Sequence, residues 1–117
     1  MSQVTMLFGI PNCDTIKKAK KWLSENDINY QFHDYRKDGI DQSWLNDAVE
    51  KLGWESVLNK RGTTFRQLSE QQKANLSAES AIELMLERPA MIKRPILSHK
   101  GELHLGFKAN QYTEIFN

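Results

Sequence analysis

The sequence predicts an α/β fold: a mixed four-stranded sheet with an all-helical insertion. Two observations carry this prediction, a β-α-β pattern that runs up to Tyr35 and a β-β-α pattern that ends the chain, with helical periodicity between them. The 117 residues are enough for one domain with a single hydrophobic core. We therefore expect one domain over residues 1–117, with the insertion at about residues 41–92.

The β-α-β pattern consists of a buried strand, an amphipathic helix and a second strand. Val4 to Phe8 is a short apolar run, closed by a glycine and a proline. From Asp14 to about Asn26 apolar residues recur at helical spacing, and Asn12 or Asp14 is the candidate N-cap. Tyr30 to Tyr35 alternates as a strand, and a helical crossover of this length predicts that it runs parallel to the first.

The middle of the chain has the periodicity of helices. Asp41 to Leu52 presents an apolar face and ends at Gly53. Phe65 to Ala74 predicts a second helix. Ser77 to Glu87 predicts a third, which follows a capping serine and buries Ala81, Ile82, Met85 and Leu86.

Two short strands and a helix complete the pattern. Ile96 to Ser98 and Leu103 to Leu105 predict an antiparallel hairpin, and about Asn110 to Phe116 predicts the last helix. The order β-α-β, helices, β-β-α is that of the thioredoxin-like fold with a helical insertion.

The composition excludes several classes of protein. No apolar run approaches the length of a membrane span, and a net charge of +1 argues against direct binding of nucleic acid. A single cysteine excludes an intramolecular disulfide framework, and with no signal-peptide pattern it favours a reducing, cytoplasmic location. The three histidines lie on separate segments without ligand spacing, so no metal site is expected.

Cys13 lies in the stretch FGIPNCDTIKKAKKWL, between the first strand and the first helix. Unpaired backbone N–H groups and the helix dipole favour a thiolate at such a position, whereas the charge of Asp14 next to it opposes one. A reactive nucleophile and a small buried hydrophobic residue are both compatible with a lone cysteine.

The stretch MIKRPIL contains a second candidate for the site. Pro95 leads directly into a strand, which suits a cis peptide bond or the first residue of a strand, because proline has no N–H for the sheet. In thioredoxin-like folds this proline faces the active-site cysteine. Arg94 would then lie beside Cys13 and offer a charged, forked donor to an anion. The alternative is a surface arginine before an ordinary turn.

Five stretches together carry a family resemblance over nearly the whole chain: LFGIPNCDTIKKAKKWL, FHDYRKDGID, LGWESVLNKRGTTFRQL, PAMIKRPIL and LGFKANQY. The chain resembles the arsenate reductase-like (ArsC/Spx) family, and within it most closely the YffB-type proteins. The resemblance implies a thioredoxin-like domain with a helical insertion. It also implies that Cys13 is the redox nucleophile and that Arg94 takes part in a basic anion pocket.

Several positions depart from the pattern of that family. The loop of its arsenate reductases resembles HNPxCGTSR, but here Gly9 replaces the histidine and Asp14 replaces the glycine. Spx-type regulators commonly carry a second cysteine where this chain has Ile16, so a dithiol switch within the chain is excluded.

The anion pocket of the family is only partly reproduced. Arg94 matches directly, the middle arginine falls near Asn59 with Arg61 two residues further on, and the last falls near Phe107 and Lys108. Arsenate reduction is therefore the less favoured activity.

Because the chain has a single thiol, a second molecule must supply the thiol that completes a redox reaction. Cys13 can attack a disulfide, but another thiol must resolve the adduct, and glutathione fits this role as a co-substrate. The residues expected to bind its anionic groups are Arg94, Arg61, Lys17, Lys108 and Asn12. We expect a glutathione-dependent monothiol reductase with no tightly bound cofactor, and with glutaredoxin or protein disulfides as further partners. The alternatives are an arsenate reductase that uses glutathione and glutaredoxin, and a non-enzymatic, Spx-like regulator that binds a protein.

Overall fold

A mixed four-stranded sheet organises the fold and confirms the α/β class. Its strands are β1 (Met6–Gly9), β2 (Gln31–Asp34), β3 (Ile96–His99) and β4 (Glu102–Leu105), and their order in the sheet is β2-β1-β3-β4. The structure is a computed structural model, which describes residues 5–11 and 13–116. The chain divides into two compact units, one formed by Met1–Asp38 with Arg94–Asn117 and the other by Gly39–Lys93.

The first unit contains the sheet. β1 is Met6–Gly9, α1 is Asp14–Glu25 and β2 is Gln31–Asp34. β1 and β2 are parallel, with Met6 opposite Gln31, as the helical crossover between them predicts. The carboxyl ends of β1 and β2 therefore lie at the same edge of the sheet, and α1 begins after the carboxyl end of β1.

α1 buries the apolar face that its periodicity predicts. The fully buried residues of this face are Ile16, Ala19 and Leu23. The predicted N-cap was wrong: Cys13 is the N-cap and Asp14 is the first helical residue. The reason is the turn before the helix, in which the N–H of Cys13 donates to the carbonyl of Ile10 at 3.3 Å, so the chain becomes helical only after Cys13. Asn12 lies outside the described residues.

The second half of this unit is the predicted antiparallel hairpin. β3 is Ile96–His99 and β4 is Glu102–Leu105, and β3 also runs antiparallel to β1. Lys100 and Gly101 form the turn with φ of 51° and 80°, a left-handed conformation that glycine adopts without steric cost. α7, Ala109–Phe116, follows β4.

The second unit is mainly helical among its described residues, with one isolated antiparallel bridge between Leu58 and Ile92. Its helices are α2 (Gln42–Leu52), α3 (Trp54–Val57), α4 (Thr63–Arg66), α5 (Glu70–Ala74), α6 (Ala78–Glu87) and a 3-10 helix (Pro89–Met91). Nothing in the sequence pattern predicted α3, which is a single helical turn directly after α2. None of the described helices has the length and apolar character needed to cross a membrane.

The prediction of one helix over Phe65 to Ala74 was wrong, because this stretch is divided between α4 and α5. Ser69 separates the two helices by capping α5. Its hydroxyl accepts from the N–H of Gln72 at 3.1 Å, and the side-chain oxygen of Gln72 accepts from the N–H of Ser69 at 3.0 Å. This reciprocal capping box starts a new helix instead of continuing the old one.

α6 follows its predicted cap, Ser77, which forms a capping box with Ser80. The predicted apolar face of α6 is only partly confirmed. Leu84 is buried with Ala81 and Met85, whereas the other two predicted core residues, Ile82 and Leu86, are only partly buried.

Candidate active site

Cys13 lies at the N-terminus of α1 with its side chain partly buried. Its backbone is extended, with φ of −100° and ψ of 129°, and its carbonyl accepts the N–H of Lys17 at 3.0 Å. The sulfur therefore lies next to the first turn of the helix, whose N–H groups have no carbonyl partner within the helix.

The surroundings of Cys13 lower the pKa of its thiol below the ordinary value. Partial burial is the largest single influence and raises the pKa, because it withdraws water from the charged sulfur. The N–H of Ile16, a hydrogen bond from the Arg94 side chain, the N–H of Thr15 and the Arg94 charge together outweigh it. These groups stabilise the thiolate more than the neutral thiol, because a thiolate is a much stronger acceptor.

Arg94 comes to Cys13 from the segment that leads into β3. The Arg94–Pro95 peptide bond is cis, and Pro95 is buried directly before the strand. The Arg94 side chain is partly buried, and its hydrogen bonding and its charge both lower the pKa of the Cys13 thiol. A permanent cation that acts on a thiol in this way is suited to thiolate chemistry.

Gly9 ends β1 directly beside these groups. A Cβ at this position would overlap the side chain of Ile16, and it would lie 3.5 Å from the Cβ of Arg94. Ile16 thus occupies the space in which a side chain at position 9 would begin. The site has no room for the histidine of the HNPxCGTSR loop unless Ile16 moves.

Tyr35 is a residue of this region that the sequence pattern did not single out. It is fully buried immediately after β2, and its N–H donates to the carbonyl of Gly9 at 2.9 Å. Burial raises the pKa of Tyr35 far above its ordinary range, and the charge of Arg94 lowers it only in part, so the phenol stays protonated. An aromatic residue at the end of the second strand was the available signal, but alternation alone does not indicate which group its hydroxyl approaches.

Two of the other predicted anion-binding residues lie in the same unit as Cys13. Lys17 is exposed, one turn into α1. Lys108 is exposed directly before α7. Asn12, a third such residue, lies outside the described residues.

Arg61 belongs to the second unit. There it lines a cavity of about 340 Å³ together with Lys60, Lys93 and Glu55. The cavity is rich in cations, although Lys60 lies 4.0 Å from the carboxylate of Glu55. Such a lining suits an anionic group.

A larger cavity lies away from the thiol, at the other end of β3. It has a volume of about 400 Å³, is lined by residues that include His99 and His104, and contains neither Cys13 nor Arg94. In the part of the chain that the structure describes, no three histidine, cysteine, aspartate or glutamate side chains are grouped to hold a metal ion.

A family model with the description ArsC family matches residues 8–115. The chain belongs to the ArsC family. Its fold is thioredoxin-like, in agreement with the predicted order of elements and with the observed mixed sheet. The family resemblance that the five sequence stretches indicate is therefore confirmed.

Several proteins match the chain over nearly its full length. The structure of a protein named YFFB has 50% identity and a TM-score of 0.91, and the match covers 95% of this chain and 97% of that one. An arsenate reductase (ArsC) related protein from Brucella melitensis has 47% identity and a TM-score of 0.79, with 100% and 98% covered. A Haemophilus influenzae protein is 44% identical over 110 residues, which cover 94% of this chain and 96% of that protein.

The chain is also similar to a regulator. The global transcriptional regulator Spx of Streptococcus agalactiae is 27% identical over 107 residues, which cover 90% of this chain and 77% of Spx. The relatives of this chain thus include a protein described as related to arsenate reductase and a protein named as a transcriptional regulator.

Proposed function

We propose that this ArsC-family protein is a glutathione-dependent thiol reductase of the monothiol kind, with Cys13 as its redox nucleophile. The observation that carries the proposal is the position of Cys13 at the N-cap of α1, where the N–H groups of the first turn and the Arg94 side chain lower the pKa of the thiol. The thiolate is the attacking form in thiol–disulfide exchange, so a larger thiolate fraction at neutral pH supports this activity.

The reaction begins when the Cys13 thiolate attacks one sulfur of a substrate disulfide. The substrate S–S bond breaks, a mixed disulfide forms on Cys13, and the second substrate sulfur leaves as a thiolate. A glutathione thiolate then attacks the Cys13 sulfur and expels the remaining substrate thiolate, which leaves glutathione bound to Cys13. A second glutathione thiolate attacks that glutathione sulfur, which releases oxidised glutathione and restores the Cys13 thiolate. Two glutathione molecules are oxidised for each disulfide reduced, and their protons pass to the substrate thiolates.

Arg94 has two roles in this proposal. Its charge stabilises the thiolate before attack and whenever Cys13 is released again as the leaving group. Its planar fork also suits a carboxylate of glutathione, which a lysine would hold only as a point charge. Lys17, Lys108, Arg61 and Asn12 are proposed as further contacts for anionic groups.

Arsenate reduction is a weaker proposal for this site. An oxyanion must be held by several cations before a thiolate can approach it, because two negative charges repel each other at contact distance. Among the described residues, Arg94 is the one cation that lowers the pKa of the Cys13 thiol. The overlap of any Cβ at position 9 with Ile16 further argues against the histidine-containing loop of arsenate reductases.

Intact mass spectrometry tests the glutathione proposal. The protein is incubated with oxidised glutathione, and we expect one glutathionyl group on the native chain and none on Cys13→Ser. Reduced glutathione should remove the group, and NADPH consumption coupled through glutathione reductase should report turnover with a small disulfide substrate. A native chain that forms no adduct would contradict the reductase proposal and favour a binding role of the Spx kind.

A further inference from the structure

We propose that the cationic cavity of the second unit binds a phosphate dianion, either inorganic phosphate or the phosphate group of a small monoester. The residues that line this cavity are Glu55, Leu58, Lys60, Arg61 and Lys93. The inference goes beyond the proposed function, because neither Cys13 nor Arg94 belongs to the lining.

The backbone that carries the cavity is fixed by the isolated antiparallel bridge of this unit. The N–H of Asn59 donates to the carbonyl of Met91 at 2.7 Å, and the N–H of Lys93 donates to the carbonyl of Val57 at 2.8 Å. Val57 and Met91 are fully buried, so the bridge is part of a packed core. The bridge holds Lys93 beside the segment that follows α3, from which the other two cations of the cavity come.

Arg61 is tied to this bridge through Asn59. The N–H of Arg61 donates to the side-chain oxygen of Asn59 at 3.1 Å. The same side chain approaches Gly62 closely, since a Cβ added there would lie 3.1 Å from the amide nitrogen. The turn that carries Arg61 is therefore packed on a residue of the bridge, and cations from two distant parts of the sequence line one cavity.

The cavity has a surplus of positive charge. Lys60, Arg61 and Lys93 supply three cations and Glu55 supplies one carboxylate, which leaves a formal balance of +2. Glu55 competes only weakly for a cation, because its carboxylate lies 4.0 Å from the Lys60 Nζ and its side chain is 72% exposed. The Lys60 Nζ also lies 5.3 Å from the centroid of the Trp54 ring, a contact that leaves its charge in place. A ligand with two negative charges compensates this surplus.

A phosphate group matches this lining better than a single carboxylate does. A phosphate monoester is close to a dianion slightly above neutral pH and has three terminal oxygens. The fork of Arg61 can hold two of these oxygens while a lysine ammonium approaches the third. A carboxylate has one charge and two oxygens, so it would leave part of the surplus uncompensated. The cavity volume of about 340 Å³ lies near the lower end of the range of ligand sites, roughly 300–1,000 Å³, which favours a small ligand over a nucleotide.

Calorimetry and NMR at low ionic strength test the proposal, with methyl phosphate and inorganic phosphate as the ligands. We expect saturable binding at one site per chain, and the backbone amide signals that shift should include those of Arg61 and Lys93. The two ligands distinguish the two sources of the anion. Tighter binding of methyl phosphate assigns the site to a monoester, tighter binding of inorganic phosphate assigns it to the free ion, and either result supports the site.

Three charge variants locate the bound anion. Arg61→Gln should weaken binding about tenfold, because it removes a charge-assisted hydrogen-bond donor. Glu55→Gln should tighten binding about two- to fivefold, because the competing carboxylate is lost. Arg66→Gln is the matched control, since Arg66 is also exposed and lies in the same unit but does not line the cavity; it should keep the native affinity. All three side chains are exposed, so the variants should fold, and far-UV circular dichroism checks that they do.

Three results would overturn the proposal: neither phosphate ligand binds, Arg66→Gln weakens binding as much as Arg61→Gln, or succinate binds as tightly as methyl phosphate. Arg61 is also proposed as a contact for glutathione, so oxidised glutathione is titrated into the Cys13→Ser chain. Binding of glutathione without binding of phosphate overturns the phosphate site and agrees with the proposed function. Phosphate binding in a native chain that forms no glutathione adduct supports the phosphate site and contradicts the proposed function, so the two failures are distinguishable.

Discussion

Substitution of Gly9 by alanine tests whether the packing of Ile16 leaves room for a side chain at position 9. The new Cβ would overlap the end of the Ile16 side chain and would lie 2.9 Å from its Cγ1. Ile16 is fully buried in α1, so it cannot turn away without disturbing its neighbours.

The magnitude follows from two opposing effects. Overpacking of a buried site costs about 1–3 kcal/mol, whereas replacing glycine at a position without positive φ stabilises by about 0.4–1 kcal/mol through the unfolded state. These ranges give a net cost of about 0–2.6 kcal/mol, and because two Ile16 atoms would lie within 3.0 Å of the new Cβ, we expect Gly9→Ala to lower the free energy of unfolding by the upper part of it, about 1–2.6 kcal/mol.

Urea denaturation at constant m-value measures the change in stability. Gly62→Ala is the matched control, because Gly62 has a φ of −79° and its added Cβ would meet the Asn59 side-chain amide at 3.1 Å. That amide belongs to a loop, so this variant should be close to neutral. Shortening Ile16 to valine should reduce the cost of Gly9→Ala. The reasoning is refuted if Gly9→Ala is as stable as the native chain, or if its cost is the same with isoleucine and valine at position 16.

Four further predictions concern the charge, the substrate, the pH dependence and the domain organisation. Arg94→Ala should raise the pKa of Cys13 and weaken the binding of glutathione, measured by alkylation kinetics and calorimetry, while Arg94→Lys should restore the charge effect but not the affinity. The protein should form the Cys13–glutathione adduct yet reduce arsenate negligibly with glutathione and glutaredoxin present; arsenate turnover that Cys13→Ser abolishes would reverse this ranking. The free energy of unfolding should increase as pH rises from the folded-state pKa of Cys13 toward about 8.5, because the unfolded chain still binds a proton that the native state has lost, and Cys13→Ser should remove this increase. If residues 1–117 form one domain, far-UV circular dichroism and tryptophan fluorescence should report the same single unfolding transition, and two separate transitions would contradict that organisation.

Local periodicity was sufficient to predict most elements of this fold. Apolar residues at helical spacing identify α1, α2 and α6, and a two-residue turn between apolar runs identifies the β3–β4 hairpin. The prediction failed where a side chain forms hydrogen bonds with the backbone and so interrupts a helix. Ser69 ends one short helix and caps the next, and apolar spacing over Phe65 to Ala74 does not register such a break.

Two positions of the candidate site have a local signal in the sequence. Cys13 stands at a strand-to-helix junction, where helix N–H groups favour a thiolate, and Arg94 precedes a proline that leads into a strand. Each signal depends on residues within a few positions of the one concerned. For this reason the sequence alone directs attention to both.

The surroundings of that pair were decided only by the tertiary structure. Gly9, Ile16 and Tyr35 come together because β1 pairs with β2 and α1 packs on the sheet. Gly9 and Arg94 are far apart in sequence, and no periodicity predicts that the Arg94 Cβ lies next to Gly9. Hydrophobic patterning specifies which face of an element is buried, but the approach of two particular polar groups depends on strand register and side-chain packing, which arise only when the elements assemble.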